Sequence, residues 1–271
     1  MKPNRNTYRL LVLSDLHKSS GMMLKSAAGL ARIIKAEIEV FHVTKPSDIV
    51  ASENQLSAMR TINSKHTTVD KKIKNLITPI VKDFGMNIPY SFAFGNVKNE
   101  IGTYIKKQRP DIIVLGKRKS KPFNLIGDRI TEFVLNVHDG PVLITSDRDI
   151  LSPNNDISLG FLNSSKPFLN LAFAEDLMNH IQKPQISIKI IKNSTSEKEV
   201  SKSMDDETIE YVFEQNDDTI RNLDKYLSKN NISLLFIDRE QKDSDNTNKL
   251  ISLDINTVIG KFNTPLFISG K

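Results

Sequence analysis

Residues 111–116 read Asp-Ile-Ile-Val-Leu-Gly, so four consecutive apolar residues stand between an acid and a glycine. A short continuous apolar run is typical of a strand that is buried on both faces, as strands are in a parallel sheet. Apolar residues at helical spacing occur on both sides of this run. The stripe before it consists of Val97, Ile101, Tyr104 and Ile105. The stripe after it consists of Ile130, Phe133, Val134 and Val137. A buried strand between two amphipathic helices predicts a βαβ arrangement.

Four more strands are predicted in the first 150 residues, at 9–14, 37–43, 88–94 and 141–145. They alternate with predicted helices over residues 22–35 and 97–108 and with a long amphipathic stretch over residues 52–84. Five strands that alternate with helices predict a doubly wound parallel sheet of the flavodoxin-like kind.

The pattern recurs in the second part of the chain. Aligning Tyr104 with Tyr226 carries residues 112–115 onto residues 234–237 without a gap. Near the end, Pro141 and its strand match Pro265 and its strand. Two matching blocks in the same order indicate a tandem duplication. We therefore predict an α/β fold with two doubly wound, five-stranded parallel sheets in tandem.

The two copies differ in length between their second and third strands. Residues 44–87 separate these strands in the first copy, whereas only residues 192–206 separate them in the second. The second copy is therefore predicted to be shortened and to lack the long second helix. A cluster of Asp, Ser, Pro and Asn over residues 146–155 reads as a linker. We place the domains at residues 1–148 and 149–271.

The composition is that of a globular protein, with 38% apolar and 26% charged residues among 271. The chain has no cysteine, which excludes disulfides, thiolate nucleophiles and cysteine-bound metals. No apolar run approaches the roughly 20 residues that span a bilayer. We therefore expect a soluble cytoplasmic protein without a membrane partner.

Basic side chains are unevenly distributed, with 24 against 14 acidic ones in residues 1–150 and 14 against 18 in residues 151–271. This asymmetry is compatible with attraction between the two halves. A basic run over residues 117–121 has only Phe123 beside it, which is too few aromatic rings for stacking on nucleic-acid bases. We expect no nucleic-acid partner.

The ligand crevice of a doubly wound sheet lies at the carboxyl ends of the strands that flank the topological switch point. Here those are the first and fourth strands. The first strand runs into Asp15, and the fourth ends at Gly116 and enters the basic run. A carboxylate opposite a basic loop that leads into a helix suits a nucleotide, since the acid binds ribose and the helix N-terminus binds phosphate.

Four segments in this order resemble the universal stress protein family, here as a tandem two-domain member with a degenerate second domain. The segments are residues 11–15, Phe94-Gly95-Asn96, residues 111–116 and residues 141–144. The resemblance covers nearly all of residues 7–146 and, more weakly, residues 156–269. It implies the doubly wound fold and a role in stress-response regulation.

The resemblance also implies an adenine-nucleotide site, for ATP with Mg²⁺ or for another adenine nucleotide, at Asp15, Val43, Gly116 and Gly127. ATP-binding members of the family carry the loop pattern G-x2-G-x9-G-[ST] after the fourth strand. In this chain the loop is two residues shorter, and Lys119 stands where the second glycine should be.

The helix start is also altered, because Asp128 stands at the Ser/Thr position of the pattern. A carboxylate there repels phosphate and instead suits a helix N-cap. The side chains of Lys117, Arg118 and Lys119 add positive charge that can hold phosphates in place of the lost groups. In the second copy, Asp238 replaces the Gly116 equivalent and no acid matches Asp15, so we expect no nucleotide there.

The resemblance further implies that the fifth strands of the two domains pair with each other in an intramolecular pseudo-dimer. A homodimer of two chains remains open. No activated nucleophile or general base stands beside the loop, so we do not expect an enzyme; at most Mg²⁺ near Asp15 would support weak ATP hydrolysis. The main alternative is a nucleotide-free interaction or scaffold protein that acts through domain pairing and protein partners.

Overall fold

The computed structural model describes residues 7–45, 55–117, 130–146, 150–151, 157–163, 173–182, 184–191, 208–239 and 254–270, with the backbone alone for 55–62 and 174. The first half of the chain contains β1 (Arg9–Ser14), α1 (Ser20–Ile33), β2 (Glu37–Thr44), α2 (Gln55–Phe84), β3 (Tyr90–Phe94), α3 (Val97–Gln108), β4 (Ile112–Gly116), α4 (Ile130–Val137) and β5 (Val142–Thr145). The second half contains β6 (Leu159–Leu162), α5 (Ala174–Met178), β7 (Gln185–Ile191), β8 (Thr208–Glu214), α6 (Thr219–Lys229), β9 (Leu234–Ile237), α7 (Ile255–Lys261) and β10 (Leu266–Ile268).

These strands form one sheet in the order β3-β2-β1-β4-β5-β10-β9-β6-β7-β8. Every neighbouring pair is parallel except β5 and β10, which are antiparallel with Leu143 opposite Phe267. The predicted α/β, doubly wound architecture is confirmed. The two predicted five-stranded sheets are joined edge to edge through their fifth strands, which removes two exposed apolar edges.

The central strands are buried on both faces, as their apolar runs predict. In β1, Leu10 and Val12 belong to one core cluster and Leu11 and Leu13 to another on the opposite face of the sheet. This alternation follows from the two-residue period of a strand. In the first half, α1 and α2 cover the face of the first cluster, and α3 and α4 cover the face of the second.

Each core cluster contains side chains from both halves of the chain. The Phe173 ring lies 5.5 Å from the Tyr8 ring of the first half and 5.9 Å from the Phe267 ring of β10, both edge-to-face. Such aromatic contacts stabilise by about 0.5–1.5 kcal/mol beyond the area that they bury. The halves therefore share their cores. The predicted domain bounds at residues 1–148 and 149–271 stay a prediction.

Some predicted element bounds were wrong by two residues. The first helix spans Ser20–Ile33 rather than residues 22–35. The third strand begins at Tyr90 rather than at residue 88, since Pro89 has no N–H for a strand ladder. In α4, Val137 is 37% exposed, and His138, whose N–H bonds the Val134 carbonyl, takes the next buried position at 5% exposed. The helical stripe therefore ends on a polar side chain.

On the outer strands β7 and β8 of the second half, the face equivalent to the one that α2 covers carries the charged residues Lys189 and Glu210. Strand registers make Glu210 of β8 the equivalent of Tyr90 of β3. The Glu210 carboxylate lies 2.8 Å from Nζ of Lys189 on the neighbouring strand β7. A polar face needs no covering helix. Residues 192–207 lie outside the described residues, so the loss of the long second helix stays a prediction.

Among the helices of the described residues, none combines the length and apolarity that crossing a membrane requires.

Candidate functional site

A cleft opens at the carboxyl end of β1, where the strand order reverses. The chain passes from β1 through α1 to β2 on one side, whereas β4 flanks β1 on the other. The ligand crevices of open α/β sheets lie at such switch points. The cleft is bounded by the ends of β1 and β4 and by the first turns of α1 and α4. The residues that give it polar character are Asp15, Ser19, Ser20, Gly116, Lys117 and Thr131.

Asp15 forms the turn that leads from β1 into α1. Its Oδ1 accepts hydrogen bonds from the His17 backbone N–H at 3.0 Å and from Ser20 Oγ at 3.1 Å. Leu16, between Asp15 and His17, has a φ of 57°, which lies in the left-handed region that leucine seldom adopts. The Asp15 bonds hold this strained backbone in place. The carboxylate is therefore fixed at the mouth of the cleft, both as a turn former and as a cleft-lining group.

His42 supports the same turn from β2. Its Nδ1 lies 2.8 Å from the Ser14 carbonyl oxygen, and its Nε2 lies 3.1 Å from Thr44 Oγ1. A carbonyl only accepts, so Nδ1 carries the proton and Nε2 accepts from the threonine hydroxyl. Burial lowers the pKa of His42 below its ordinary value. The ring is therefore neutral and links the end of β1 to β2 through its two hydrogen bonds.

Val43 lies at the end of β2, where the family resemblance places part of the nucleotide site. The β1–β2 register pairs Leu13 with Phe41, so Val43 is level with Asp15 two residues further on. The Val43 side chain is half-buried against the second core cluster. It is not among the described residues that line the cleft between β1 and β4. The structure thus places Val43 beside the cleft, one strand away.

Gly116 ends β4 at the floor of the cleft. A Cβ atom built on it would lie 3.2 Å from Sδ of Met23 in α1. This distance is shorter than ordinary van der Waals contact, so a side chain here would require the Met23 side chain to shift by a few tenths of an ångström. The glycine therefore leaves room for the Met23 side chain beside the end of β4.

Lys117 has one role in the sheet and one at the junction between the halves, by which we mean the antiparallel pairing of β5 with β10 and the helix ends beside it. Its backbone N–H donates to the Thr145 carbonyl at 3.1 Å, which extends the β4–β5 ladder. Its Nζ donates to the carbonyl oxygen of Phe262, at the end of α7 in the second half. Lys117 also lines the cleft. This side chain therefore contacts the other half from a position at the candidate site.

The remaining residues of the predicted phosphate loop, Arg118, Lys119 and Gly127, lie outside the described residues, as does Asp128. Their predicted roles stay predictions.

Sequence reasoning missed three hydroxyl side chains of the cleft, Ser19, Ser20 and Thr131. Ser19 is the N-cap of α1, and Ser20 is 2% exposed. The signal was present, because two consecutive serines directly before an apolar helical stripe are typical of a helix start. Thr131 had no such signal, since the expected Ser/Thr position lay three residues earlier. The hydroxyls of Ser19 and Ser20 at the start of α1 and that of Thr131 in α4 all line the cleft.

The equivalent crevice of the second half is built differently. Asn163 follows β6 and uses its Oδ1 to accept from the Ile190 N–H at 2.8 Å. Arg239 follows Asp238 after β9, and its guanidinium donates to three carbonyl oxygens of the first half. These belong to Leu135 at 3.2 Å, His138 at 2.6 Å and Gly140 at 2.8 Å. The arginine thus serves the junction between the halves.

Within the residues that the structure describes, no cluster of three or more His, Asp or Glu side chains is arranged to hold a metal ion.

The fold and the switch-point cleft define a tandem α/β protein of the doubly wound type. A family model of the Universal stress protein family matches residues 7–146, just over half of the chain. The chain belongs to the universal stress protein family, which confirms the resemblance of the four segments. A search of curated proteins found no match.

Solved structures with the same overall fold cover nearly the whole chain. A universal stress protein from Archaeoglobus fulgidus DSM 4304 aligns with a TM-score of 0.65 and 15% identity, covering 98% of this chain and 99% of that one. A putative universal stress protein from Pseudomonas aeruginosa UCBPP-PA14 aligns at 0.59 and 11%, covering 97% and 93%. A functionally unknown protein from P. aeruginosa PAO1 aligns at 0.57 and 11%, covering 97% and 92%. Identities this low show the fold alone.

Proposed function

We propose that this chain is a stress-response regulatory protein that binds one adenine nucleotide, with ATP and Mg²⁺ as the preferred form, in the first-half cleft. The observation that carries the proposal is the position of Asp15. Its carboxylate is fixed at the mouth of the switch-point cleft, beside the hydroxyls of Ser19 and Ser20.

The two ends of a nucleotide find matching chemistry in the cleft. A carboxylate accepts hydrogen bonds from ribose hydroxyls, as acids in related crevices do. The start of α1 presents partial positive charge and the hydroxyl of Ser19, which favour phosphate oxygens, whereas the Ser20 hydroxyl donates to Asp15. Lys117 supplies a full positive charge from the end of β4. Mg²⁺ would be bound mainly by the phosphates, since it retains several waters and takes few protein ligands.

The second half is proposed to bind no nucleotide. Asn163 stands where the first half has Ser14, and Arg239 is engaged with three carbonyls of the first half. We propose that occupancy of the single site changes the equilibrium between states of the two joined halves, without catalysis. We further propose that the protein acts in the cytoplasm and that any homodimer is secondary to the internal pairing.

The proposal is tested by nucleotide binding to the full-length protein and to two aspartate variants. Asp15→Ala removes the cleft carboxylate, whereas Asp83→Ala removes one from a surface pair with Lys25 at 3.8 Å. Titration with a fluorescent ATP analogue and Mg²⁺ should show binding to the wild type and to Asp83→Ala, and a loss of at least about tenfold in affinity for Asp15→Ala. Equal affinity in all three proteins would remove Asp15 from the site. Circular dichroism checks that the variants are folded.

A second candidate function is a nucleotide-free interaction protein. It is favoured by the hydrogen bond from Lys117 Nζ to the Phe262 carbonyl, because the ammonium that a phosphate would need is already bound to the protein. Mass analysis of small molecules released from denatured, freshly purified protein separates the two candidates. A carried adenine nucleotide supports the first candidate, and its absence together with no titratable binding supports the second.

A further inference from the structure

Two basic side chains occupy equivalent positions in the two halves. The register of β1 with β4 pairs Leu13 with Leu115, and that of β6 with β9 pairs Leu162 with Ile237. Two residues beyond these strand positions stand Lys117 in the first half and Arg239 in the second. The duplication has therefore kept a cation after the fourth strand of each half.

Each of these cations contacts the end of the last helix of the opposite half. Lys117 Nζ donates to the Phe262 carbonyl at the end of α7, and Arg239 Nη1 donates to the His138 carbonyl after α4. Phe262 and His138 each stand four residues before the fifth strand of their half. The contacts are thus the two copies of one interaction across the β5–β10 junction. We call them the Lys117 clasp and the Arg239 clasp.

The clasps differ in strength and in position. Arg239 is a planar fork that holds three carbonyls, whereas the Lys117 ammonium reaches the Phe262 carbonyl from a flexible stem. Lys117 lines the cleft with Asp15 and Gly116. The Arg239 clasp is therefore held by several hydrogen bonds. The cation of the Lys117 clasp also belongs to the candidate ligand site.

We propose that Lys117 couples the cleft to the junction: an anionic ligand in the cleft draws the Lys117 ammonium away from Phe262 and thereby loosens the last turn of α7. The inference rests on the proposed function, since it needs an anion in the cleft. A hydrogen bond from an ammonium to a phosphate is stronger than one to a neutral carbonyl, so the exchange is downhill. A helix that loses a cation at its C-terminal carbonyls loses part of its stabilisation.

The experiment is amide hydrogen exchange of the full-length protein with and without ATP and Mg²⁺. In the wild type, ATP should speed exchange of the Val258–Phe262 turn by about two- to fivefold, as expected for losing a cation at a helix end. Residues 134–137, in the part of α4 that does not line the cleft, serve as the internal reference, because the Arg239 clasp stays in place. The variant Lys117→Gln should exchange fast in this α7 turn without ATP and should not respond further to ATP. Lys82→Gln, an exposed lysine on α2, should behave as the wild type.

Calorimetry in the same buffer separates the possible failures. If ATP binds and exchange in α7 stays unchanged relative to α4, the coupling is overturned and the proposed function stands. If ATP does not bind, the proposed function is overturned and the coupling falls with it. If Lys117→Gln exchanges as slowly as the wild type in α7 without ligand, the clasp does not stabilise the helix and the coupling is likewise overturned.

Discussion

The Nη1 atom of Arg239 in the second half lies 2.6 Å from the carbonyl oxygen of His138 in the first half. This bond crosses the β5–β10 junction at the end of α4, where the last carbonyls of the helix have no partners within the helix. The same guanidinium also bonds the carbonyls of Leu135 and Gly140. Arg239 therefore completes a helix of the other half, so stability of the junction depends on this side chain.

Replacing Arg239 with Gln should lower the free energy of unfolding by about 2–4 kcal/mol, because hydrogen bonds to charged groups contribute about 1.5–3 kcal/mol each and are not additive. Urea unfolding followed by circular dichroism measures the change. The matched control is Arg221→Gln, since the Arg221 side chain is 73% exposed and its ion pair with Asp218 is long, at 4.0 Å. That variant should stay within about 0.5 kcal/mol of the wild type. Equal losses in both variants would show that the hydrogen bonds of Arg239 across the junction do not add to the free energy of unfolding.

His138 should make the stability of the protein depend on pH. Burial, and then the nearby Arg239 charge, lower the pKa of His138 to about 4. Its pKa in the unfolded chain is about 6.5. Between these values the unfolded chain binds the proton and the folded one does not. The contribution of His138 is therefore fully present above about pH 6.5 and is lost as the pH falls towards about 4.

The variant His138→Gln isolates this effect. From about pH 7 to about pH 4.5, the wild type should lose about 2–3 kcal/mol more unfolding free energy than the variant, as a pKa lowered by this amount requires. Urea unfolding at the two pH values measures both losses. Identical losses in the two proteins would mean that His138 titrates as it does in the unfolded chain.

Two glycines near the junction should respond to alanine in opposite directions. A Cβ on Gly140 would lie 2.4 Å from the Asp111 carbonyl oxygen, which is backbone and cannot move aside. Gly140→Ala should therefore cost about 1–3 kcal/mol or more, as overpacking does. A Cβ on Gly260 in α7 would meet nothing within 4 Å. Gly260→Ala should stabilise the protein by up to about 1 kcal/mol, because alanine favours helix. Thermal unfolding of the two variants ranks them against the wild type, and a stable Gly140→Ala would contradict the packing at the junction.

The sequence predicts most of the strands because their apolar runs are decided by local patterning. The bounds of β1, α3 and β9 agree with the predicted ones, and the pairing of the fifth strands agrees with the expected pseudo-dimer. Buried runs and helical stripes are properties of consecutive residues, so one sequence suffices to locate them.

The part that could not be predicted depends on contacts between distant residues. Nothing near Lys117 in the sequence indicates that its ammonium reaches Phe262, since 145 residues separate them. The basic run predicted a phosphate-binding loop, and the sequence could not distinguish a cation for a ligand from a cation for a helix end. The hydroxyl of Thr131 was missed for the same reason, because its position in the cleft is set by the packing of α4 on the sheet.

The most direct test of the account is the stoichiometry of ATP binding to the full-length protein, measured by calorimetry with Mg²⁺ present. The account predicts one nucleotide per chain, in the first-half cleft with Asp15, and no second site beside Asn163 and Arg239. Two nucleotides per chain would contradict the assignment of the second half to the junction, and no binding would contradict the proposed nucleotide site itself.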